Sequence, residues 1–455
     1  MRGNFIFMKC FVFLVLGLGS MLNLNGQMRL TLEESKAMAL ENNGNVKNSR
    51  LELDAAWETK KEAFTNYFPK ISASAFGMKA MDPLLEIGMK GGDLPVYDGT
   101  PANLANPLQY AYMPDVNIGL FNQMALGIVN IQQPLYAGSK IKTGNRLAEL
   151  NIEVKEMQRK LSENDIILKT EQQYWQVIVI QEKQKTVDSY LDFLDRLHDQ
   201  VNNAYENGLT IRNDLLKVSI KQQELKVTKI QLENGKKLAL MQLCPTIGLE
   251  YRPTLLLEGN LEELSLPDSY YIPTGNALPN RAEYQLLEKS VDATGLQKKM
   301  QNGNYLPALA VGISGYYLDQ LESGVDGAFN GLAFASLTIP ISDWWGGNHK
   351  LKELRIRESM AKNNLEENKG LLRLQMEKAW VDLNESYDKI QLTESILAQT
   401  TENLRVNQDS YDNGLIQLSD LLEARALKAE TEDKLIEAKN RYKLAVTDYL
   451  LLTAR

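Results

Sequence analysis

The 455-residue sequence predicts an α+β fold made of two copies of one unit, in which long paired helices follow short paired strands. A duplicated stretch supports this, since AYENGL from position 204 returns as SYDNGL from position 410. A second mark is NYFP from position 66, which returns as NYLP from position 304. The third is spacing, because Pro134 to Gly208 and Pro340 to Gly414 are both 74 residues. Matched marks at equal spacing indicate an internal repeat.

The helical part of each unit is a hairpin whose tip is the duplicated stretch. A charged helical pattern stops at a glycine that can take the left-handed conformation, and a second helix starts within a few residues. The first long helix is predicted from Ser139 to Tyr205, which is on the order of 100 Å at 1.5 Å per residue. The returning helices are predicted at 213–243 and 418–452. Apolar residues at heptad spacing predict coiled-coil packing. In the first long helix they are Leu147, Leu150, Val154, Met157 and Leu161, and in the matching helix of the second half they are Met376, Trp380, Leu383, Tyr387 and Ile390. In the second returning helix they are Leu435, Ala438, Tyr442, Ala445, Tyr449 and Leu452.

Strand-like stretches precede the long helix in each half. In the first half these are 71–76 and 116–133, separated by a Gly-, Pro- and Met-rich stretch, 77–115, that predicts a long loop. In the 116–133 run, residues 116, 118, 120, 124, 126 and 128 are predicted to form one apolar face, with a local break at Phe121 and Asn122. In the second half the predicted strands are 308–318 and 331–341. The chain is therefore expected to contribute four strands.

The remaining segments complete the domain organisation. Thr31 and Glu34 fit a capping box that opens a helix to about Asn42, and a second helix is predicted from Asn45 to Asn66. Residues 245–280 carry five prolines and predict an irregular connector, after which a helix is expected from Arg281 to about residue 301. The predicted division is a signal peptide at 1–26, a first repeat at 27–244, the connector, and a second repeat at 281–455.

Composition and the amino-terminal segment indicate an exported protein. Two basic residues and an apolar run ending near Leu22 form a secretory signal. Cys10 lies too early in the signal to be a lipidated cysteine, and removal of the signal leaves Cys244 as the single cysteine, so no intramolecular disulfide is expected. The net charge of −8 and the lack of Lys/Arg runs argue against nucleic acid as a partner.

No apolar run after the signal is long enough for a membrane helix, so a membrane-crossing form of this chain requires a β-barrel. Four strands cannot close a barrel in lipid, because the open edges would leave backbone groups unpaired. An obligate oligomer is therefore predicted. Aromatic residues at the strand ends suit the two membrane interfaces, and they are Tyr305, Tyr316, Tyr317, Trp344 and Trp345, with Tyr67, Tyr136, Tyr110 and Tyr112 in the first half.

The ordered set of repeat marks, strand starts and paired tips resembles the TolC-type outer-membrane factors of efflux and type I secretion, over essentially the whole mature chain. The resemblance implies a homotrimer with a 12-stranded barrel in the outer membrane of a Gram-negative bacterium. It also implies a periplasmic α-helical tunnel, which docks on an inner-membrane transporter through a periplasmic adaptor. No cofactor is implied, and the cargo is left open.

The resemblance also implies roles for residues at the tips. Two carboxylates that line the periplasmic constriction fall on Asp420 and Glu423, a gate tyrosine falls on Tyr411, and a tip-closing aspartate falls on Asp214. Without the resemblance, Asp420 and Glu423 have another possible role, since acidic side chains in the first turn of a helix interact favourably with the helix dipole. The sequence departs from the family at Ile416, where an arginine of the closing network is expected, and Arg212 is the candidate substitute.

The most distal part of each hairpin is the expected docking place for the adaptor. The residues concerned are Asn207, Gly208, Leu209, Asn413, Gly414 and Leu415. Their glycines also end helices, so docking is an added role.

Signals for catalysis or metal binding are weak. His198 and His349 have no second ligand at metal spacing, and both are interpreted as structural or solvated. Met78, Met81, Met89 and Met113 are interpreted as loop filler, with soft-metal export as the alternative. No catalytic motif supports an envelope enzyme. The main competing hypothesis is a periplasmic coiled-coil adaptor or scaffold that never enters the membrane; it explains the heptads and leaves the paired strands unexplained.

Overall fold

The computed structural model describes residues 29–120, 122–321 and 326–455. The predicted signal segment, 1–26, lies outside these residues. The helices are α1 (Leu32–Asn42), α2 (Gly44–Thr65), α3 (Lys140–Glu206), α4 (Arg212–Ile247), α5 (Thr274–Ala277), α6 (Ala282–Gly303), α7 (Asp343–Asp412) and α8 (Leu418–Leu452). The strands are β1 (Arg29–Leu30), β2 (Lys70–Lys79), β3 (Leu85–Met89), β4 (Gly92–Pro95), β5 (Tyr110–Met113), β6 (Val116–Leu120), β7 (Gln123–Ala137), β8 (Leu256–Leu257), β9 (Ala308–Asp319) and β10 (Ala328–Thr338).

The chain forms two compact units, and each contains segments from both halves of the sequence. The helical unit comprises the described residues from 29 to 54 together with Val154–Glu288 and Asn363–Arg455. The sheet unit comprises Ala55–Glu153 and Lys289–Lys362.

The helical unit confirms the helices predicted for it. The capping box at the start of α1 is formed, with the Glu34 backbone N–H donating to the Thr31 hydroxyl and the Thr31 N–H donating to the Glu34 carboxylate. The α7 and α8 heptad residues Leu383, Ile390, Tyr442 and Tyr449 are buried in one apolar cluster. Heptad spacing therefore places a continuous apolar stripe between these two helices, as predicted.

The segment after α4 in the helical unit is fixed by a short parallel pair between β1 and β8. The buried Tyr174 hydroxyl of α3 donates to the Leu30 and Glu258 carbonyl oxygens next to this pair. Pro245 lies inside α4, which continues four residues beyond its predicted end to Ile247. The main apolar cluster of this unit forms around these segments.

The sheet unit contains one antiparallel four-stranded sheet in the order β10-β9-β7-β2. Its four strands match the expected contribution of the chain. The strand predicted to close at Pro134 continues to Ala137, with an irregularity in the pairing between Pro134 and Tyr136.

The prediction of a long loop over residues 77–115 is wrong in part. Strands β3 and β4 lie in this stretch, and β3 pairs with β6 while β4 pairs with β5. The predicted single strand over 116–133 is likewise two strands, β6 and β7, separated at the expected break. The paired residues are about 15 to 35 positions apart, and their pairing depends on register, which local composition does not show.

The apolar face predicted for β7, with Met124, Leu126 and Ile128, does not continue beyond Ile128. Residues paired directly across strands share a face, and Asn130 lies between Ser72 and Ser314. The opposite face carries the apolar residues at this level, with Ile131 between Ile71 and Ile313. We call the surface with Ile131 the apolar face; its exposed large side chains are Ile71, Val129, Leu309, Val311, Ile313, Tyr317, Phe329 and Leu337.

None of the helices within residues 29–120, 122–321 and 326–455 combines the length and hydropathy of a membrane-crossing segment.

Candidate functional site at the helical tips

Both predicted hairpin tips are present and have the same backbone geometry. Gly208 has φ of +73° and Gly414 has φ of +71°, so each is in the left-handed conformation. In the first tip Leu209 N donates to Ala204 O at 2.8 Å, and in the second Leu415 N donates to Ser410 O at 2.9 Å. These bonds satisfy carbonyl groups at the ends of α3 and α7.

The two asparagines of the tips have matching local contacts. The Asn207 side-chain amide donates to Asn203 O at 2.7 Å, and the Asn413 amide donates to Asp409 O at the same distance. The leucines that follow the glycines point into solvent, with exposed fractions of 81% for Leu209 and 77% for Leu415. The tips therefore present an exposed apolar side chain next to a fixed turn.

Asp214 lies in the first tip and Tyr411 in the second. Asp214, in the first turn of α4, accepts from the Thr210 hydroxyl at 3.0 Å and from Lys217 Nζ at 3.3 Å. Tyr411, near the end of α7, packs against the tip cluster, defined here as buried residues Tyr190, Leu194, Leu197, Val201, Val218, Leu418 and Leu421. Burial raises the pKa of Tyr411, and the negative charges of Asp214 and Asp412 add to this effect.

Asp420 and Glu423 lie on the exposed side of α8, opposite the buried Leu418 and Leu421. The Gln417 N–H donates to the Asp420 carboxylate at 3.3 Å, so Asp420 also contacts the start of its own helix. Glu423 makes no hydrogen bond or ion pair within the part of the chain that the structure describes. Because they are three residues apart, both carboxylates lie on the same exposed face of α8. Their role in a constriction stays a prediction.

Direct side-chain contacts join the helices of the two tips. Gln200 Nε2 on α3 donates to the Asp412 carboxylate on α7 at 3.1 Å. The Arg425 side chain on α8 lies against the rings of Tyr190 and Phe193 on α3. A polar contact and a cation–π contact thus connect helices from different halves of the sequence.

Arg212, the candidate replacement for the missing arginine at Ile416, is exposed and makes no ion pair among the described residues. Sequence reasoning also missed Arg425, Gln200 and Asp412. Arg425 had a detectable signal, because it lies four residues after Leu421 on the buried stripe of α8. Gln200 and Asp412 are exposed polar residues on separate helices, and their contact depends on how those helices align.

The aromatic residues predicted for the interfaces lie in the sheet unit. Tyr316 and Tyr317 are consecutive in β9, so their side chains point to opposite faces and only Tyr317 belongs to the apolar face. Trp344 Nε1 donates to Tyr305 O at 2.7 Å, which fixes the start of α7 beside the start of β9. Trp345 is 80% exposed.

Residues 274–451 match the family model described as outer membrane efflux protein. Over this stretch the chain is similar to outer membrane efflux proteins. The match runs from the start of α5 almost to the end of α8.

Solved channel structures share the fold over 93% of the chain. The CmeC outer membrane channel of Campylobacter jejuni has a TM-score of 0.72 at 15% identity, with 85% of its own chain covered. VceC of Vibrio cholerae has a TM-score of 0.70 at 14% identity, with 96% of its own chain covered. The open state of the MtrE channel of Neisseria gonorrhoeae has a TM-score of 0.72 at 14% identity, with 88% of its own chain covered. No curated protein matches the sequence.

Proposed function

We propose that this chain forms the outer-membrane exit duct of a tripartite efflux pump or a type I secretion system. It works as a homotrimer, in which three four-stranded sheets form a 12-stranded barrel and the long helices form a periplasmic tunnel. Cargo passes through passively from an inner-membrane transporter and a periplasmic adaptor.

The observation that carries this proposal is the four-stranded sheet with an exposed apolar face. Within the described residues, the outer edges of β2 and β10 pair with no further strand. Open edges in lipid leave N–H and C=O groups unpaired, and each unpaired group costs roughly several kcal/mol. Pairing with further strands in a closed barrel removes this cost. The opposite face has Ser72, Asn130 and Ser314 in one row, next to Leu332 of β10, and these polar residues suit a water-filled lumen.

Exposed apolar stripes on the helices of the helical unit support assembly with further copies. On α4 these residues recur at intervals of mostly three, four and seven: Leu216, Ile220, Val227, Ile230, Leu238 and Met241. On α7 they are Leu371, Leu374, Val381, Leu392, Ile396 and Val406. A heptad-spaced stripe facing water needs a partner helix, and a second copy of this chain supplies one of matching pattern.

The exposed apolar side chains at the tips suit adaptor docking. Leu209, Ile211 and Leu415 are exposed beside turns held by Gly208 and Gly414. A photo-cross-linking residue at 209 or at 415 is expected to capture a co-expressed adaptor. The absence of an adduct from both positions contradicts this part of the proposal.

The conducting function is tested by single-channel recording of the purified protein in a planar bilayer. Rings of three copies of Asp420 and Glu423 attract cations, so the wild type is expected to show a small cation-selective conductance. The double variant Asp420→Ala/Glu423→Ala should conduct more and lose selectivity. Glu430→Ala is a matched control, because Glu430 is an exposed carboxylate further along α8 that pairs with Lys434.

The outcomes distinguish the hypotheses. A large, unselective conductance that the double variant leaves unchanged places the constriction elsewhere. No conductance, together with release of the protein from membranes by a salt wash, favours the periplasmic scaffold instead.

A further inference from the structure

A cavity of about 470 Å³ lies in the sheet unit at the junction of β7 and α3. Its volume is in the range of sites that bind small molecules. Five polar side chains from α3, α6 and α7 line it: Thr143, Lys298, Lys299, Asn302 and Arg355. Three different helices thus direct polar groups toward one space.

The charge of the cavity is strongly positive. Lys298 is neutralised in part by an ion pair with Glu358, which also pairs with Lys362. Lys299 and Arg355 make no ion pair among the residues that the structure describes. Two uncompensated cations beside one cavity favour an anionic ligand.

Thr143 adds a hydrogen-bonding group to the cations that line the cavity. Its residue is only 8% exposed, and its hydroxyl makes no hydrogen bond within the described chain. Its backbone N–H is already used, donating to Ser139 O at 2.9 Å. A hydroxyl that has no partner in the chain is available to donate to an acceptor inside the cavity.

The backbone around the cavity is held in place before any ligand binds. Gly138, which lines the cavity, has φ of +61°, and a Cβ built there would lie 2.3 Å from the Gly303 carbonyl oxygen. The chain exit from β7 therefore packs directly on the end of α6. Close backbone packing fixes the relative positions of the lysines on α6 and Thr143 on α3.

We propose that this cavity binds a phosphate group, supplied by the headgroup of an anionic phospholipid. Arginine and lysine with a hydroxyl and an amide donor match the oxygens of a phosphate. Leu306 and Leu351 also line the cavity, and acyl chains can contact such apolar walls. The lipid source rests on the proposed function in the outer membrane; the recognition of phosphate does not.

The test measures lipid binding by native mass spectrometry of the full-length protein purified in non-ionic detergent. Dioleoyl phosphatidylglycerol is titrated in parallel with zwitterionic dioleoyl phosphatidylcholine and with inorganic phosphate. The wild type is expected to bind phosphatidylglycerol more tightly than phosphatidylcholine. Lys299→Gln/Arg355→Gln and Thr143→Val should each weaken that binding about tenfold or more, since hydrogen bonds to charged groups are lost.

A matched control separates the cavity from the general charge of the surface. Lys352→Gln removes one exposed cation from the same helix as Arg355 without altering the cavity lining, and it should bind phosphatidylglycerol like the wild type. Unchanged thermal unfolding of every variant shows that the fold is intact.

Each remaining outcome decides a separate point. Saturating binding of inorganic phosphate that displaces phosphatidylglycerol at millimolar concentration supports the phosphate site and overturns the lipid source. No binding of either ligand, or equal binding by the wild type and the double variant, overturns the proposal. Neither result bears on the conductance test of the exit duct.

Discussion

The guanidinium carbon of Arg425 lies 4.5 Å from the centre of the Tyr190 ring, inside the tip cluster. Its side chain is only 4% exposed, and the nearest carboxylate, on Glu432, is 3.8 Å away. Burial lowers the pKa of Arg425, while Glu432 opposes that shift. The aromatic faces of Tyr190 and Phe193 therefore supply much of its contact surface, and α3 and α8 are held together below the tips.

Removal of this side chain should loosen the tips. Arg425→Ala is expected to reduce the free energy of unfolding by about 2 kcal/mol or more, because packing and cation–π contacts are lost together. Arg425→Met keeps the packing and removes the buried charge, so it should retain most of the stability. Thermal unfolding of the purified protein measures both. Arg405→Ala, which removes an exposed arginine on α7, is the control and should change little; an equal loss in both alanine variants contradicts the proposed role.

The tip glycines are expected to be required for their backbone conformation alone. A Cβ at Gly414 would meet no atom within 4 Å, so Gly414→Ala introduces no clash with neighbouring residues. The φ of +71° at this position is unfavourable for an alanine, so the substitution should lower the free energy of unfolding by about 1–2 kcal/mol. Gly370→Ala is the matched control, since Gly370 lies inside α7 with open space around it and should gain about 0.5–1 kcal/mol. Opposite shifts in the unfolding midpoint confirm the prediction.

Asp433 on α8 is expected to destabilise the folded state at neutral pH. Burial raises the pKa of Asp433, Lys183 opposes the shift, and Glu437 and Glu432 add to it. Its Oδ1 atom is buried without a hydrogen-bond partner. A raised pKa means that the folded state prefers the protonated acid, so the cost is present at neutral pH and disappears as pH falls through the folded pKa.

Asp433→Asn should therefore stabilise the protein at pH 7.5, by on the order of 1 kcal/mol, and the gain should vanish near pH 4. Unfolding midpoints at several pH values between these limits measure the effect. Asp409→Asn is the control, because Asp409 is exposed and pairs with Arg405. A gain that is independent of pH contradicts the electrostatic explanation.

The elements that the sequence predicted well are those with local causes. The Thr31 capping box, the left-handed Gly208 and Gly414, and the α7 heptads each depend on residues a few positions apart. Local spacing did not identify Asp214 or Tyr411, whose predicted roles came from the family resemblance alone.

The features that sequence reasoning missed depend on contacts between distant segments. The ladders of β3 with β6 and β4 with β5 join stretches whose glycines, prolines and methionines show no alternation. The apolar face of β7 could not be assigned from one strand, because the neighbours of Asn130 and Ile131 decide which face is polar. The cavity beside Thr143 likewise forms only where three helices meet.

Tyr411 provides the last prediction, because packing and hydrogen bonding give different outcomes there. Its ring packs against the tip cluster, while its hydroxyl makes no hydrogen bond within the described residues. Tyr411→Phe should therefore leave both unfolding and single-channel conductance close to those of the wild type. Tyr411→Ala removes the ring and is expected to raise the conductance, since the contact that keeps the end of α7 against α3 and α8 is lost. A large conductance change in Tyr411→Phe would instead show that the hydroxyl acts in closure, through a partner that forms only in the assembled channel.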